Sequence, residues 1–276
     1  MRLSCFPSRL HLTVGLALIV WFGAARADLM ITGSSTILPV VKRVASEFTA
    51  KTGIRVRVSG GGSDHGVIAV IQGRADIGMA SRVLHEDESR GLFATTIGRD
   101  AIAVYANERN PIAGLTQAQV AAIYSGQLKQ WRELGLTTVE GRIYPVGKWH
   151  GRSTRELFDG FFGLQGREYP EGTHMIGANV ASILYVSLDP LGIGYVSVGS
   201  LDHAAKQGAP VKILPLDGVA PTHENIQSGR YAYTRPLNLV TRGAPRDEAA
   251  LFIEWMTGKP GQEAVRAEGF MIRTAP

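Results

Sequence analysis

Residues 31–39 (Ile-Thr-Gly-Ser-Ser-Thr-Ile-Leu-Pro) constrain the fold most, because an apolar segment leads directly into three hydroxyl residues and then into a helix pattern. Residues 40–48 repeat apolar side chains at helical spacing, and Ser34, Ser35 and Thr36 can cap that helix. The N-terminus of a helix leaves backbone amides without partners and attracts anions. The segment therefore predicts a strand end and a helix start that can hold a tetrahedral oxyanion, although an ordinary capped helix has the same residues.

Two more strand ends downstream repeat this arrangement. Residues 54–58 alternate apolar and basic side chains, which is typical of a half-buried strand, and the glycine-rich loop 59–66 leads from them into an apolar helix pattern. Residues 75–80 form a short apolar strand that ends at Ser81 and Arg82. Such loops and Ser-Arg pairs are often only solvated turns. Ligands of open α/β sheets nevertheless bind beyond the carboxyl ends of the strands, so three polar strand ends predict one shared crevice.

The second half of the chain contains the pattern again. A short strand at residues 143–146 leads through Gly-Lys-Trp-His-Gly-Arg-Ser-Thr (147–154) into a helix at residues 155–162. This helix start carries Lys148 and Arg152, which would add positive charge to the crevice. Most such residues lie at the protein surface, and that simpler interpretation stays open.

The order of these segments predicts an α/β protein with two lobes. Residues 97–107 contain a continuous apolar run typical of a central strand, and residues 108–111 (Glu-Arg-Asn-Pro) break it. Residues 237–241 have the same polarity and would bring the chain back to the first lobe. The expected lobes are residues 28–106 with residues 236–276, and residues 107–235.

The first 27 residues have the three-part design of a secretory signal peptide. Arg2 and Arg9 precede an apolar run at residues 12–22, and Ala-Arg-Ala (25–27) follows it, so cleavage is expected before Asp28. The apolar run is shorter than the ~20 residues that a membrane span requires. The mature chain is therefore predicted to be soluble and exported to the periplasm.

The composition after cleavage argues against several classes of protein. Three of the 29 basic residues and none of the 24 acidic ones lie in residues 1–27, which leaves 26 basic against 24 acidic residues. A nearly neutral chain without basic clusters does not fit nucleic-acid binding. The single cysteine, Cys5, precedes the apolar run, which argues against a lipid anchor and against disulfides. His150 has no Cys or carboxylate at ligand spacing, so neither a metal nor another cofactor is expected.

Taken in order, the motifs resemble those of a known family. They are Gly-Ser-Ser-Thr (33–36), Gly-Gly-Gly-Ser (60–63), Ala-Asp-Ile-Gly-Met-Ala-Ser-Arg (75–82), Ser-Thr-Arg (153–155) and Asp-Pro-Leu-Gly-Ile-Gly-Tyr (189–195). This ordered set spans nearly the whole mature chain and is similar to the phosphate-binding proteins of ABC phosphate importers. The resemblance implies a two-lobed periplasmic-binding-protein type II fold, with two crossover strands as a hinge and an anion held between the lobes.

The same resemblance implies a function and a set of binding residues. A protein of this family captures phosphate or a similar tetrahedral oxyanion and passes it to an ABC permease in the inner membrane, as a monomer and without catalysis. By position, Thr36 and the amide of Ile37 belong to the first cradle, Ser63 to the second and Thr154 to the other lobe. With their polar neighbours, the predicted ligand-binding residues are Ser34, Ser35, Thr36, Ile37, Gly62, Ser63, Ser81, Arg82, Lys148, Arg152, Ser153 and Thr154.

Two positions depart from the family pattern. Arg82 stands where many phosphate binders have an Asp that accepts the proton of hydrogen phosphate. In the segment 148–154, which replaces the family's Arg-x-x-Gly-Ser-Gly-Thr, Arg152 takes the place of the usual Ser. A buried acceptor separates protonated phosphate from ionised sulfate, because the wrong ligand leaves that acceptor unpaired. Asp64 or His65 could supply the acceptor, or either could be a solvated loop residue.

Two other functions remain open on the sequence. A chain with this fold could act as a ligand-responsive partner of a sensor or as an extracytoplasmic interaction protein, because fold does not determine function. It could also be a serine hydrolase that uses Ser153 with His150 and a carboxylate. These two residues are close together on one loop, and the chain has no Gly-x-Ser-x-Gly segment, which disfavours a catalytic triad.

Overall fold

The computed structural model of the chain describes residues 28–136 and 138–273. The signal peptide predicted for residues 1–27 lies outside the described residues. Among the residues that are described, no helix has both the length and the apolar content needed to cross a membrane.

Strands and helices alternate along most of the described chain. The strands are β1 (Leu29–Gly33), β2 (Val56–Gly60), β3 (Ile77–Ala80), β4 (Leu92–Asn107), β5 (Tyr144–Gly147), β6 (His174–Met175), β7 (Gly192–Ser197), β8 (Val211–Leu214), β9 (Thr234–Arg242) and β10 (Met271–Ile272). The helices are α1 (Leu38–Thr52), α2 (Ser63–Ile71), α3 (Glu86–Ser89), α4 (Gln117–Tyr124), α5 (Ser153–Phe162), α6 (Asn179–Leu188), α7 (Val198–Lys206), α8 (His223–Gln227), α9 (Asp247–Thr257) and α10 (Lys259–Ala267). A short 3-10 helix, Trp131–Leu134, follows α4.

The sheet contains two parallel groups of strands that point toward each other. The strand order is β2-β1-β3-β9-β4-β7-β5-β6, with β8 and β10 paired to β4. Strands β1, β2 and β3 are parallel, as are β5, β6 and β7, whereas β3–β9, β9–β4 and β4–β7 are antiparallel pairs. Three successive antiparallel steps reverse the direction of the second group relative to the first. The carboxyl ends of both groups therefore face one another.

Strand β4 belongs to both halves of the molecule. Its residues 92–101 pair with β9, and its residues 102–106 pair with β7. Buried apolar side chains form two main clusters, one from residues 29–97 and 237–270 and the other from residues 101–231. The molecule is therefore the two-lobed α/β protein that the sequence predicts, with β4 and β9 running between the lobes. The exact lobe boundaries stay a prediction.

The helices next to the crevice begin earlier than their apolar patterns indicate. The pattern predicts α2 from residue 67 and α5 from residue 155, but the helices begin at Ser63 and Ser153. Apolar periodicity marks only the turns that pack against the sheet. The first turns of these two helices carry polar residues and face the junction between the lobes, so the periodicity does not reach them.

Candidate functional site

A small cavity lies where the strand ends of the two lobes meet. Its lining is Ser34, Ser35, Thr36, Gly62, Ser63, Ser81, Lys148, Arg152, Ser153, Thr154 and Gly177. The structure thus brings together ten of the twelve predicted binding residues, which come from four separate strand ends. Ile37 and Arg82 are outside this lining. Ile37 is the wholly buried residue that precedes α1, and its side chain packs in the core of the first lobe.

Four serine hydroxyls form a continuous chain of hydrogen bonds along one side of the cavity. Ser81 Oγ lies 2.8 Å from Ser34 Oγ and 2.7 Å from Ser153 Oγ. Ser63 Oγ donates to Ser153 Oγ at 2.9 Å and accepts from the Ser81 amide at 3.1 Å. All four side chains are buried. Since Ser153 belongs to the second lobe, these bonds join the two lobes across the cavity.

The helices that begin at the cavity leave first-turn amides without side-chain caps at the residue that precedes them. Of the three hydroxyls predicted to cap α1, that of Ser34 accepts a hydrogen bond from the Thr36 amide at 3.2 Å, whereas those of Ser35 and Thr36 accept none from a backbone amide among the described residues. The residues preceding α1, α2, α5 and α6 make no capping hydrogen bond through their side chains. By contrast, α4, α7 and α8 are capped by the hydroxyls of Thr116, Ser197 and Thr222. First-turn amides of an uncapped helix need another acceptor. An anion in the cavity would supply one.

Lys148 contributes a buried ammonium group without a partner. Its side chain is 1% exposed, and Nζ has no hydrogen-bond partner among the described residues. Burial, with the nearby positive charges of Arg152 and Arg235, lowers the pKa of Lys148 to about 7. The side chain extends from the end of β5, where the backbone amide donates to the Tyr195 hydroxyl at 3.2 Å. An unpaired buried charge is costly, so the ammonium favours an anionic ligand in the cavity.

Arg235 supports the cavity from behind, and the sequence analysis missed it. Its guanidinium donates to Thr154 Oγ1 at 2.9 Å and to Thr36 Oγ1 at 3.1 Å, one residue from each lobe. The same group pairs with Asp100 Oδ2 at 2.8 Å through Nη2. Arg235 and Asp100 lie on the adjacent strands β9 and β4 and are both buried. The sequence did contain one indication of this role, because Arg235 is a charged residue at the start of an apolar strand.

Asn179, in the first turn of α6, is a second residue that the sequence analysis missed. Its amide nitrogen donates to Thr36 Oγ1 at 3.2 Å and to Ser200 Oγ at 3.1 Å. Together with Arg235, it fixes the Thr36 hydroxyl at the cavity wall. Its position gave only a weak signal, because a polar residue at a helix start is common.

Arg152 and Gly62 close the gap between the lobes. The half-buried Arg152 guanidinium makes no hydrogen bond or ion pair within the described residues, and burial lowers its pKa. Gly62 has φ +107°, and a Cβ at this position would lie 2.6 Å from the Gly151 oxygen and 2.9 Å from Arg152 Cδ. Only glycine fits this close approach between lobes. The structure is therefore a closed arrangement with Arg152 over the cavity.

Arg82 does not line the cavity, which corrects its predicted role as a ligand-binding cation. Its side chain is 1% exposed and turns toward acidic residues. Both oxygens of Glu88 accept hydrogen bonds from it at 2.7 Å, and Asp64 Oδ1 accepts one at 2.9 Å. Arg82 Nε also lies 3.3 Å from Glu156 of the second lobe. Glu88 of the short helix α3, together with Asp64 and Glu156, thus holds this guanidinium away from the cavity.

Neither proposed acceptor for a ligand proton lies in the cavity. Asp64 pairs with Arg82 and lines a separate, larger pocket. The exposed His65 ring packs beside Gly61. The cavity lining therefore contains hydroxyls and cations but, within the part of the chain that the structure describes, no carboxylate.

The geometry does not support the serine-hydrolase hypothesis. Ser153 Oγ bonds to Ser63 and Ser81, whereas the exposed His150 has Glu168 as its acidic neighbour, at 3.7 Å. No hydrogen bond joins Ser153 to His150 among the described residues. A triad requires the base to contact the nucleophile.

Comparison with known proteins identifies the family. A family model for the PBP superfamily domain matches residues 23–260. The chain belongs to the PBP superfamily. Curated relatives in this superfamily include the phosphate-binding protein PstS of Borreliella burgdorferi, which is 25% identical over 248 residues (87% of this chain and 88% of the relative). The PstS of Bacillus subtilis is 26% identical over 245 residues, covering 87% of this chain and 79% of the relative.

Solved structures agree with this assignment of the PBP superfamily. One is a substrate-binding protein from Clostridium perfringens, assigned to a phosphate ABC transporter and solved with bound phosphate. Its sequence is 28% identical to this chain, and the TM-score is 0.81 over 90% of this chain and 100% of that chain. An ABC-type phosphate transport receptor from Vibrio cholerae is 25% identical with a TM-score of 0.73, over 89% and 100% of the two chains. The predicted family resemblance and type II fold are confirmed.

Proposed function

We propose that this protein is an exported solute-binding protein that captures phosphate between its lobes and delivers it to an ABC permease. The observation that carries the proposal is the buried, unpartnered ammonium of Lys148 in a small cavity walled by serine hydroxyls from both lobes. The names of the PstS relatives, and the phosphate in the Clostridium perfringens structure, support the same ligand. Residues 1–27 would serve as the signal peptide and be removed in the periplasm.

Capture requires no chemical step in this proposal. Phosphate enters while the lobes are apart, and closure about β4 and β9 removes it from water. Serine and threonine hydroxyls, first-turn amides and the charges of Lys148 and Arg152 replace the lost hydration, with the charge-assisted hydrogen bonds being the strongest. The closed protein would act as a monomer and would release phosphate when a permease separates the lobes.

Isothermal titration calorimetry on residues 28–276 tests the proposal. We expect one phosphate per chain, bound with a dissociation constant in or below the micromolar range, about −8 kcal/mol or stronger. Arsenate should bind similarly because it has the same shape and charge, whereas planar nitrate should bind far more weakly. Glycerol phosphate should also bind weakly, since the cavity leaves little room for an ester group. No heat of binding with phosphate or arsenate would contradict the proposal.

Replacement of Arg82 by Met should change phosphate affinity by less than about tenfold, because the guanidinium contacts Glu88 and Asp64 rather than the cavity. Stability should fall by about 1–3 kcal/mol, since Glu88 loses its charged partner. Calorimetry measures the affinity and urea unfolding the stability. A loss of affinity of about 100-fold or more would return Arg82 to the ligand shell.

A further inference from the structure

The hydrogen-bonding groups of the cavity wall determine which oxyanions the site can discriminate in binding. Hydrogen phosphate and sulfate are both tetrahedral dianions, and they differ in that phosphate carries a proton. A site can discriminate between them when it contains a group that only accepts hydrogen bonds. Such a group accepts a hydrogen bond from the proton of hydrogen phosphate and repels an unprotonated ligand oxygen. The question is therefore which acceptors face the ligand.

No acidic or amide side chain lines this cavity within the described residues. Two carboxylates outside the lining are held by arginines: Asp64 pairs with Arg82, and Asp100 pairs with Arg235 behind the wall. Asn179, which bonds to Thr36, is also outside the lining, and its Oδ1 is buried without a partner among the described residues. The side-chain acceptors within the lining are hydroxyls, whose hydrogens rotate to donate or to accept. In the chain formed by Ser34, Ser81, Ser153 and Ser63, most donor directions are interchangeable. Such a wall can meet a protonated or a bare ligand oxygen at similar cost.

The charges around the cavity also fit a fully ionised dianion. Lys148 has no partner for its ammonium, and Arg152 makes no ion pair within the described residues. Arg235 is already neutralised by Asp100. The pKa of Lys148 is about 7 in the empty cavity, and an anion bound beside it favours the charged form. Two positive charges then face the ligand, and a dianion balances both whether or not it carries a proton.

We propose that the cavity binds doubly charged tetrahedral oxyanions as a class, taking sulfate about as well as hydrogen phosphate, an inference that rests on the function proposed above. The protein is then a solute-binding protein without the phosphate-over-sulfate selectivity that an acidic acceptor would provide. Its chemical preference is set by the size and charge of the ligand and not by its protonation.

Calorimetry with sulfate and with phosphate at mildly alkaline pH, where both ligands are dianions, tests this inference. We expect a sulfate dissociation constant within about tenfold of the phosphate value, or lower. Sulfate should also compete, raising the apparent phosphate dissociation constant in proportion to its concentration. Sulfate more than about tenfold weaker, or sulfate that does not compete, would overturn the inference and leave the proposed function intact. Binding of neither anion would overturn both.

A variant that restores an acceptor gives a second test. Ser81→Asp places a carboxylate among the serine hydroxyls of the cavity, where it can accept a proton from phosphate but repels sulfate. We expect the ratio of sulfate to phosphate dissociation constants to rise by about 30-fold or more. Ser228→Asp, at an exposed position after α8, is the control and should leave the ratio unchanged. An unchanged ratio in a folded Ser81→Asp protein overturns the inference. If this variant does not fold, the wild-type titrations still decide.

Discussion

Replacement of Lys148 by Met is expected to weaken phosphate binding by at least about 100-fold and to make the empty protein more stable. Binding weakens because the anion loses a charged hydrogen-bond donor, a contribution of about 1.5–3 kcal/mol, and one of its balancing charges. Stability rises because the wild-type ammonium is buried without a partner, which costs on the order of 2–5 kcal/mol. Calorimetry and urea unfolding measure the two effects.

The Lys148→Met prediction can also be tested through the pH dependence of stability, because Lys148 changes the stability with pH in a known direction. In the empty protein the pKa of Lys148 is about 7, below its ordinary value of 10.5, because of burial and then the charges of Arg152 and Arg235. Between these two pH values the unfolded chain binds more protons than the folded one. The Lys148 contribution to stability therefore rises with pH from about 7 to 10.5 and is fully unfavourable below 7. The Met variant should lack this rise.

Lys212→Met is a matched control for Lys148. Lys212 is half-buried, and its ammonium donates to the Asn110 carbonyl oxygen, outside the residues that line the cavity. Its replacement should leave phosphate affinity unchanged. A Lys148→Met protein that binds phosphate as tightly as the wild type would contradict the assigned role of the ammonium.

Replacement of Arg235 by Met should reduce both binding and stability. The variant leaves the Asp100 carboxylate buried without its partner, which costs about 3–5 kcal/mol. It also removes the donors that orient Thr36 and Thr154, so phosphate affinity should fall by about tenfold or more. The opposite signs of the stability changes in the Lys148 and Arg235 variants distinguish an unpaired cation from a paired one.

Two further variants distinguish the effect of the unpaired Asp100 carboxylate from the effect of the lost donors to Thr36 and Thr154. Adding Asp100→Asn removes the unpaired charge, so the double variant should regain part of the stability but not the affinity. Arg43→Met is the control, because Arg43 also pairs with a buried carboxylate, Glu268, outside the cavity lining. Its affinity should be unchanged. An Arg235→Met protein of wild-type stability would contradict the role assigned to the Asp100 pair.

The sequence predicts the positions of the strand ends better than the directions of their side chains. Ser34, Ser63 and Ser81 follow parallel strands, which end at the same edge of the sheet, so chain order alone places these three together. Ser153 joins them because the second group of strands points toward the first. Arg82 follows a strand in the same way, but its long side chain turns to Glu88, a partner supplied by helix α3. The acidic run Glu-Asp-Glu (86–88) could have predicted that Arg82 pairs with a nearby carboxylate.

Other parts of the site depend on contacts that periodicity does not report. Arg235 reaches Thr36 and Thr154 only because β9 pairs antiparallel with β4, which brings residues distant in sequence together. The isolation of the Lys148 ammonium is likewise a property of the closed structure. Ser63 and Ser153 lie in the first turns of α2 and α5 and not at their cap positions. This also could not be predicted, because serine caps many other helices.

A crystal structure of residues 28–276 grown with phosphate tests the central claim most directly. The anion should lie in the small cavity between the lobes, with Lys148 Nζ and the serine hydroxyls at hydrogen-bond distance, about 2.6–3.2 Å. The same crystals should show Arg82 still paired with Glu88. Phosphate bound elsewhere, for example in the larger pocket beside His85 and Arg155, with Lys148 still unpartnered, would contradict the account.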